Sequence, residues 1–158
     1  MPVNTVFMKF TPSKINFYLL FKLPSAYFTG IRVKSISEEK STVYVKHRWI
    51  NQNPFKSMFW AVQGMAAEFS TGMLVLQAIY KSKRKISMLV TNMDATFTKK
   101  ATGRIRFECL QGEEVKAAIQ KAIETGEGET LMLTSEGINE EGISVSKFQF
   151  EWSLKVKA

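Results

Sequence analysis

Hydrophobic residues recur along this chain with two periods, which predict strands and helices in a definite order. Alternation of apolar and polar residues, the pattern of half-buried strands, occurs in six segments. They are residues 31–33, 43–49, 86–97, 103–109, 130–134 and 143–156. The alternation shifts near Thr91 and slips at 146–147, where we expect a β-bulge or a bent strand.

Three other segments have helical character. The segment of about residues 11–24 is predicted as a short helix packed on the core, with a membrane-surface helix as the alternative. Residues 113–124 show the i, i+3, i+4 spacing of an amphipathic helix. The longest helix is predicted from about residue 56 to 79, and it is apolar on almost all sides, so other elements must cover it on almost all sides.

The order of these elements indicates the fold class. Strand-helix-strand units do not recur, which argues against a doubly wound parallel sheet. We therefore predict an α+β protein, an antiparallel β-sheet wrapped around a long central α-helix with a short N-terminal helix. The 158 residues are expected to form a single domain, 1–158, because that length provides one adequate core.

Composition and charge narrow the chemistry. The chain has 22 Lys and Arg against 14 Asp and Glu, a formal charge of +8, which favours anionic partners; a solvated basic surface is the alternative. With one cysteine, Cys109, and one histidine, His47, an internal disulfide is excluded and no metal site is expected. His47 lies in a strand-like run and no Gly-x-Ser-x-Gly elbow occurs, so a serine triad is not expected.

Membrane insertion and nucleic-acid binding are both disfavoured. No apolar run reaches membrane-spanning length, and no targeting pattern is found at the N-terminus, so we expect a cytoplasmic protein. The aromatic residues fall at core-like periods, and no RNA-binding signature is present. A reaction, if this chain catalyses one, is then expected to depend on a carboxylate.

The candidate carboxylate is Glu68, in the middle of the apolar helix. Its helical neighbours include Gly64 and Gly72 but no cation, so no i±3 or i±4 ion pair is available. If Glu68 is buried, it needs a hydrogen-bonding partner or its pKa must rise, which suits a general base near neutrality. The two glycines either leave room beside the acid for a substrate, or they serve only packing around a partly exposed Glu68.

The chain resembles the hotdog-fold acyl-CoA thioesterases, in the branch typified by phenylacetate-pathway enzymes, and within it the DUF4442 group. Three segments carry the resemblance, NFYLLFKLPSAYFTGIRV, NPFKSMFWAVQGMAAEFSTG and LMLTSEGINEEGISV, and it extends over nearly the whole chain. It implies a hotdog fold and hydrolysis of acyl-CoA thioesters. It also implies that no cofactor is needed beyond the coenzyme A carried by the substrate.

The resemblance assigns roles to residues around the long helix. In the family an Asn precedes the helix and an acid follows fifteen residues later, the spacing of Asn53 and Glu68. Glu68 is then the base or nucleophile, and Asn53 positions the water or the thioester. Where the family has His-Gly-Gly, with a glycine amide that polarises the carbonyl, this chain has Phe59, Trp60 and Ala61. These residues are expected to line an acyl pocket or to pack, and a non-catalytic acyl or acyl-CoA binding module is the alternative function.

The resemblance further implies a homodimer, with a tetramer left open, whose sites combine residues of both subunits. It makes coenzyme A the expected anionic ligand. The candidate phosphate contacts are Lys81, Lys83, Arg84, Lys85, Lys99, Lys100, Arg104 and Arg106.

Overall fold

The computed structural model describes residues 10–158, which form helices and strands in the predicted order. The helices are α1 (Pro12–Lys22), α2 (Pro24–Phe28), α3 (Trp60–Ser82) and α4 (Gly112–Thr125). The strands are β1 (Arg32–Ile36), β2 (Ser41–Lys46), β3 (Ile86–Phe97), β4 (Arg104–Cys109), β5 (Glu129–Ile138) and β6 (Ser144–Val156).

The strands form one six-stranded sheet in the order β1-β2-β4-β5-β6-β3, and all neighbours are antiparallel. Helix α3 lies against this sheet, and its most extensive packing is on β2, β4 and β5. Buried residues of α3, such as Ala66 and Val75, meet fully buried sheet residues such as Phe107 and Phe148. The predicted α+β architecture, a sheet packed around one long helix with a short helix before it, is confirmed.

Two β-bulges account for the irregular alternation in the sequence. In the β3–β6 ladder Val90 pairs with Trp152 and Asn92 with Glu151, so Thr91 is an extra residue in β3. In the β5–β6 ladder Gly137 pairs with Ser146 and Ile138 with Ser144, which leaves Val145 extra. The expected bulge at 146–147 is therefore confirmed, centred one residue earlier.

The predicted strand 43–49 is too long. Strand β2 ends at Lys46, and a 3₁₀ turn (Trp49–Asn51) follows, so Trp49 is 83% exposed instead of facing inward. The buried amide of Asn51 stabilises this turn: it accepts a 2.8 Å bond from the Arg48 N–H and donates to the carbonyls of Thr29 and Lys46 at 2.9 Å. The alternation alone does not reveal these contacts, which turn the chain away from the sheet.

The long helix begins at Trp60, four residues later than predicted, and continues to Ser82. Residues before it form a loop, in which Lys56 has a positive φ of 59° and the Met58 N–H bonds the Ala101 carbonyl at 2.8 Å. The loop gains its hydrogen bonds from a distant segment, so a helical start at residue 56 is not needed to satisfy its backbone.

Helix α1 covers most of the predicted segment 11–24, and a second short helix that was not predicted, α2, starts at Pro24 after Leu23 leaves the helical conformation. Ile15 and Leu19 are fully buried, so α1 packs on the core as expected. The Asn16 side chain accepts from the Val33 N–H at 2.8 Å and donates to the Val33 carbonyl at 3.1 Å. Helix α1 therefore pairs with the free edge of β1 at Val33.

Candidate functional site

One stripe in the first half of α3 is less covered than the positions around it. Ala61, Gly64, Met65 and Glu68 are half-buried, whereas the neighbouring positions of the helix are buried. These four residues lie at i, i+3, i+4 and i+7, on one face of the helix. We refer to them as the open stripe, and Glu68 is its only ionisable residue.

Glu68 has no partner for its carboxylate. Among the described residues no side chain or backbone group hydrogen-bonds to it, and no cation pairs with it; only its main-chain carbonyl accepts a bond, from Thr71 Oγ1 at 2.8 Å. Desolvation by the surrounding protein raises the pKa of this carboxyl above its ordinary value. A half-buried, unpaired carboxylate with a raised pKa has the properties required of a general base.

The two glycines that flank Glu68 serve contact with β6. A Cβ on Gly72 would lie 3.2 Å from Cζ2 of Trp152, closer than an ordinary contact, and 3.6 Å from Oε1 of Glu68. A Cβ on Gly64 would lie 3.5 Å from Cε1 of Phe148. The space beside Gly72 is thus filled by the indole ring and by Glu68 itself, which favours the packing interpretation of this glycine over a substrate groove.

The start of α3 presents the residues that take the place of His-Gly-Gly. Phe59 is the N-cap, without a side-chain capping bond, and Trp60 and Ala61 are the first two helical residues. In the described part of the chain no acceptor bonds the amides of Trp60 and Ala61, whereas Val62 already donates to the Phe59 carbonyl. The rings of Phe59 and Trp60 meet edge to face at 5.7 Å and are both exposed. The free amides and the helix dipole together favour negative charge at this point.

Asn53 organises the loop before the helix. Its Oδ1 accepts from the Phe55 N–H at 2.9 Å and from the Ser57 N–H at 3.2 Å, and its Nδ2 donates to Ser57 Oγ at 3.1 Å. The second hydrogen on Nδ2 has no acceptor among the described residues. One amide N–H therefore remains for a water molecule or a ligand.

Glu68, Asn53 and the free amides at the start of α3 do not meet at one point within a single chain. Glu68 follows Trp60 by eight residues (68 − 60), which at 1.5 Å per residue places it about 12 Å further along the helix axis. Asn53 lies in the loop before the helix start. The structure therefore positions each predicted catalytic residue near the open stripe or the start of α3, but not around a common point.

The candidate phosphate contacts are divided between two ends of the sheet. Arg104 and Arg106 lie on β4 at the end where α3 starts, whereas Lys83, Arg84 and Lys85 follow its other end, so the 23-residue helix separates the groups by about 34 Å. Several of the cations already have partners. Lys81 pairs with Glu38, Lys99 with Glu141 at 3.9 Å, Arg106 with Glu108 at 3.2 Å, and Lys100 donates to the Phe55 carbonyl at 3.2 Å.

An open pocket of about 250 Å³ lies on another side of α3, between α3 and α4. Its lining includes Gln77, nine residues from Glu68 and thus half a turn away around the helix. Glu38 lies there between Lys81 and Lys116, and these cations lower its pKa to about 2. Sequence analysis missed this cluster because Glu38 and Lys116 are 78 residues apart (116 − 38). Among residues 10–158 no group of three His, Cys, Asp or Glu side chains could hold a metal ion.

Comparison of the sequence with models of protein families identifies the family of this chain. The model of DUF4442, a domain of unknown function, matches residues 14–154. The chain belongs to the DUF4442 family. Curated proteins provide no match to this sequence.

Solved structures resemble this DUF4442 domain over nearly its full length. A Pseudomonas aeruginosa protein of unknown function, described as a probable thioesterase, is 21% identical with a TM-score of 0.76, covering 93% of this chain and 97% of the other. A Chlorobaculum tepidum protein of unknown function is 17% identical with a TM-score of 0.78, covering 93% and 98%. A Haemophilus influenzae thioesterase is 12% identical with a TM-score of 0.69, covering 94% and 93%. These similarities confirm the hotdog fold.

None of the helices formed by residues 10–158 has the length and hydropathy of a membrane span.

Proposed function

We propose that this DUF4442 domain hydrolyses acyl-CoA thioesters, with Glu68 as its general base or nucleophile. The observation that carries the proposal is the half-buried, unpaired Glu68 carboxylate on the open stripe of a hotdog helix. Its raised pKa increases its basicity, which a base needs to take a proton from water. Similarity to structures described as thioesterases supports the class of reaction.

In the general-base route Glu68 accepts a proton from a water molecule as the water oxygen bonds to the thioester carbonyl carbon. The carbon–sulfur bond then breaks, and the proton passes to the leaving thiolate, which gives a free acid and coenzyme A. In this proposal the unpaired amides of Trp60 and Ala61 donate to the carbonyl oxygen, where negative charge develops. Asn53 holds the water or the thioester with its remaining amide N–H.

This chemistry requires two subunits, because Glu68 and the amides at the start of α3 are too far apart within one chain. We propose that the dimer forms along β3. This strand is an edge of the sheet, and it exposes Leu89, Met93 and Phe97; such an edge is a template for pairing with another strand. The opposite edge, β1, is already bonded at Val33 by Asn16 of α1.

A dimer of this kind also brings together cations that lie at opposite ends of the sheet within one chain. Two-fold antiparallel pairing of β3 places the start of one strand opposite the end of the other. The cationic turn Lys83–Lys85 of one subunit then approaches the segment after Phe97 in its partner, where Lys99 and Lys100 follow. We propose these cations as the phosphate contacts of coenzyme A. The cytoplasmic location remains a prediction.

The test is an assay of the purified protein against short, long and aromatic acyl-CoAs, with detection of the free thiol. Wild-type protein and Glu136→Gln, which changes an exposed carboxylate of β5, are expected to turn over, and Glu68→Gln is expected to lose at least 100-fold, a typical contribution of one acid–base group. If Glu68→Gln hydrolyses the substrates as fast as wild type, Glu68 is not the catalyst.

A second function, a non-catalytic acyl or acyl-CoA binding module, is favoured by one feature. The bulky side chains of Phe59 and Trp60 stand where related enzymes have His and Gly, and Trp60 narrows the approach to the amides of α3. This module would bind acyl-CoA at micromolar concentration in calorimetry without releasing thiol. A lack of binding to both acyl-CoA and free fatty acid would exclude it.

A further inference from the structure

An exposed aromatic surface covers α1, α2 and the 3₁₀ turn. Phe17 and Phe21 on α1 are 67% and 66% exposed. The other large apolar side chains of this surface, which we call the aromatic face, are Leu23, Phe28, Trp49 and Ile50, and each is exposed as well. Patches of this kind on a folded domain mark interaction sites more often than isolated exposed residues do.

Contacts in the structure connect the parts of the aromatic face. The rings of Phe17 and Phe21 meet at 5.0 Å, and Phe28 ends α2 only five residues after Leu23 (28 − 23). Next to Phe28, the Thr29 carbonyl accepts a 2.9 Å bond from the Asn51 amide. Asn51 is the last residue of the turn that carries Trp49 and Ile50, so this bond attaches the turn to the end of α2.

The aromatic face is not required by the core. The buried side of α1 is provided by Ile15 and Leu19, both with no exposed area, and Asn16 bonds the edge of β1. Phe17 and Phe21 lie on the remaining side of the helix, together with Lys14, at i, i+3 and i+7. Folding therefore explains one side of α1, and the two phenylalanines on the other side need a different explanation.

The chain segments that form the aromatic face carry cations and no acids. Residues 10–36 contain Lys14, Lys22, Arg32 and Lys34 but no Asp or Glu, and residues 41–56 contain Lys46, Arg48 and Lys56 but again no Asp or Glu; Glu38 and Glu39 lie in the turn between these two segments. Lys14 and Lys22 are exposed on α1 itself. Exposed aromatic rings beside cations are complementary to an anionic lipid layer.

We propose that the aromatic face adsorbs to the surface of membranes that contain anionic phospholipids. Phe17 and Phe21 enter the boundary between headgroups and acyl chains, while Lys14 and Lys22 contact the lipid phosphates. Adsorption of this kind needs both contributions, because each is weak alone: one cation near an anionic surface strengthens binding only about five-fold. The inference does not depend on the thioesterase proposal, since the aromatic face contains neither Glu68 nor the start of α3.

The experiment is co-sedimentation of the full chain with vesicles of phosphatidylcholine alone or of phosphatidylcholine with phosphatidylglycerol. Wild-type protein is expected to bind the anionic vesicles and to bind the neutral ones at least ten-fold more weakly, and added salt is expected to release it. Phe17→Ser/Phe21→Ser and Lys14→Glu/Lys22→Glu are each expected to reduce the partition coefficient at least ten-fold.

Two matched variants act as controls. Leu110→Ser removes an apolar side chain that is also 66% exposed but precedes Glu113 and Glu114 by only three and four residues in the sequence. Lys40→Glu/Lys147→Glu makes the same change in net charge at exposed positions outside the aromatic face. Both are expected to bind as wild type does. All these substitutions are at exposed side chains, so circular dichroism spectra are expected to be unchanged.

Three results would overturn the proposal. They are no binding of wild type to anionic vesicles, equal binding of Phe17→Ser/Phe21→Ser and wild type, or a loss of binding in both controls as large as that in the α1 variants. If Phe17→Ser/Phe21→Ser instead lowers the solution mass without changing vesicle binding, the aromatic face is an interface between copies of this chain, and the lipid proposal is wrong.

Discussion

Trp152 Nε1 donates a 3.0 Å hydrogen bond to Thr71 Oγ1 across the buried contact between β6 and α3. Thr71 Oγ1 in turn donates to the Glu68 carbonyl at 2.8 Å. The two bonds attach the indole to the helix, and its ring lies 3.2 Å from the position of a Cβ on the adjacent Gly72. A residue with a side chain at position 72 would therefore meet a ring that is held in place.

The glycines of α3 are expected to differ in their response to alanine. Gly64→Ala should raise the free energy of unfolding by up to about 1 kcal/mol, because alanine favours the helix and its Cβ would make an ordinary 3.5 Å contact with Phe148. Gly72→Ala should lower it by about 1–3 kcal/mol, since the added methyl overpacks against Trp152. Urea unfolding at a fixed protein concentration measures both.

The control for these two glycine substitutions is Gly72→Ala in a chain that lacks the Thr71–Trp152 hydrogen bond. In Thr71→Val the indole loses this hydrogen bond, so adding Gly72→Ala should lower the free energy of unfolding by less than it does in the wild-type chain. Equal effects of alanine at positions 64 and 72 would contradict the packing explanation.

Glu68 is expected to make stability depend on pH. Burial raises the pKa of this carboxyl in the folded chain, so the folded state binds the proton more tightly than the unfolded state. Its contribution to stability is then present below the unfolded pKa and is lost as pH rises through the folded pKa. Glu68→Gln should be more stable than wild type at neutral pH, and the difference should vanish below the ordinary glutamate pKa of about 4.5.

Unfolding across this pH range, by denaturant, measures the difference, and the exposed Glu136→Gln should show no such trend. The same raised pKa predicts that hydrolysis declines as the medium is acidified, since only the carboxylate accepts a proton. A Glu68→Gln variant that is less stable than wild type at neutral pH would indicate that the carboxylate has a stabilising partner.

The amide of Trp60 is expected to contribute to thioester hydrolysis. Trp60→Pro removes its N–H at the first helical position, where proline is tolerated, and the extended conformation of Phe59 suits a following proline. Trp60→Ala removes the ring equally but keeps the N–H. Trp60→Pro should lower kcat by about 10²–10³ relative to Trp60→Ala, the usual cost of losing one oxyanion donor. Equal rates of the two variants would show that the Trp60 amide does not bond the thioester carbonyl.

Edge strand β3 is expected to determine the oligomeric state. Met93, 42% exposed on β3, and Met132, 44% exposed on the interior strand β5, form a matched pair. Met93→Lys should shift the mass measured by light scattering from dimer to monomer and abolish hydrolysis, because a lysine would be buried without a partner in the pairing of two β3 strands. Met132→Lys should change neither the mass nor the rate of hydrolysis. If Met93→Lys is still a dimer, the interface does not lie along β3.

Much of the fold is predictable because it depends on local periodicity. The two-residue alternation locates the strands, and its irregularities near Thr91 and at 146–147 correspond to the bulges in β3 and β6. The irregular pairing of β1 between Val33 and Ser35 was not predicted. The boundaries at Lys46 and Trp60 are not predictable in the same way, because they depend on the Asn51 and Met58 hydrogen bonds with residues distant in sequence. The short helix α2 after Leu23 was not predicted either, because Pro24 was interpreted as the end of the N-terminal helical segment.

Some features of the candidate site are likewise predictable from the sequence, and others are not. The sequence by itself determined that an acid without a helical ion-pair partner stands in an apolar helix, since this follows from spacing along the chain. Only the tertiary structure decided that Gly72 serves the Trp152 contact, that Glu68 lies on an open stripe, and that the cations occupy opposite ends of the sheet. Periodicity reports which face of an element is apolar, but the packing of neighbouring elements determines what covers that face.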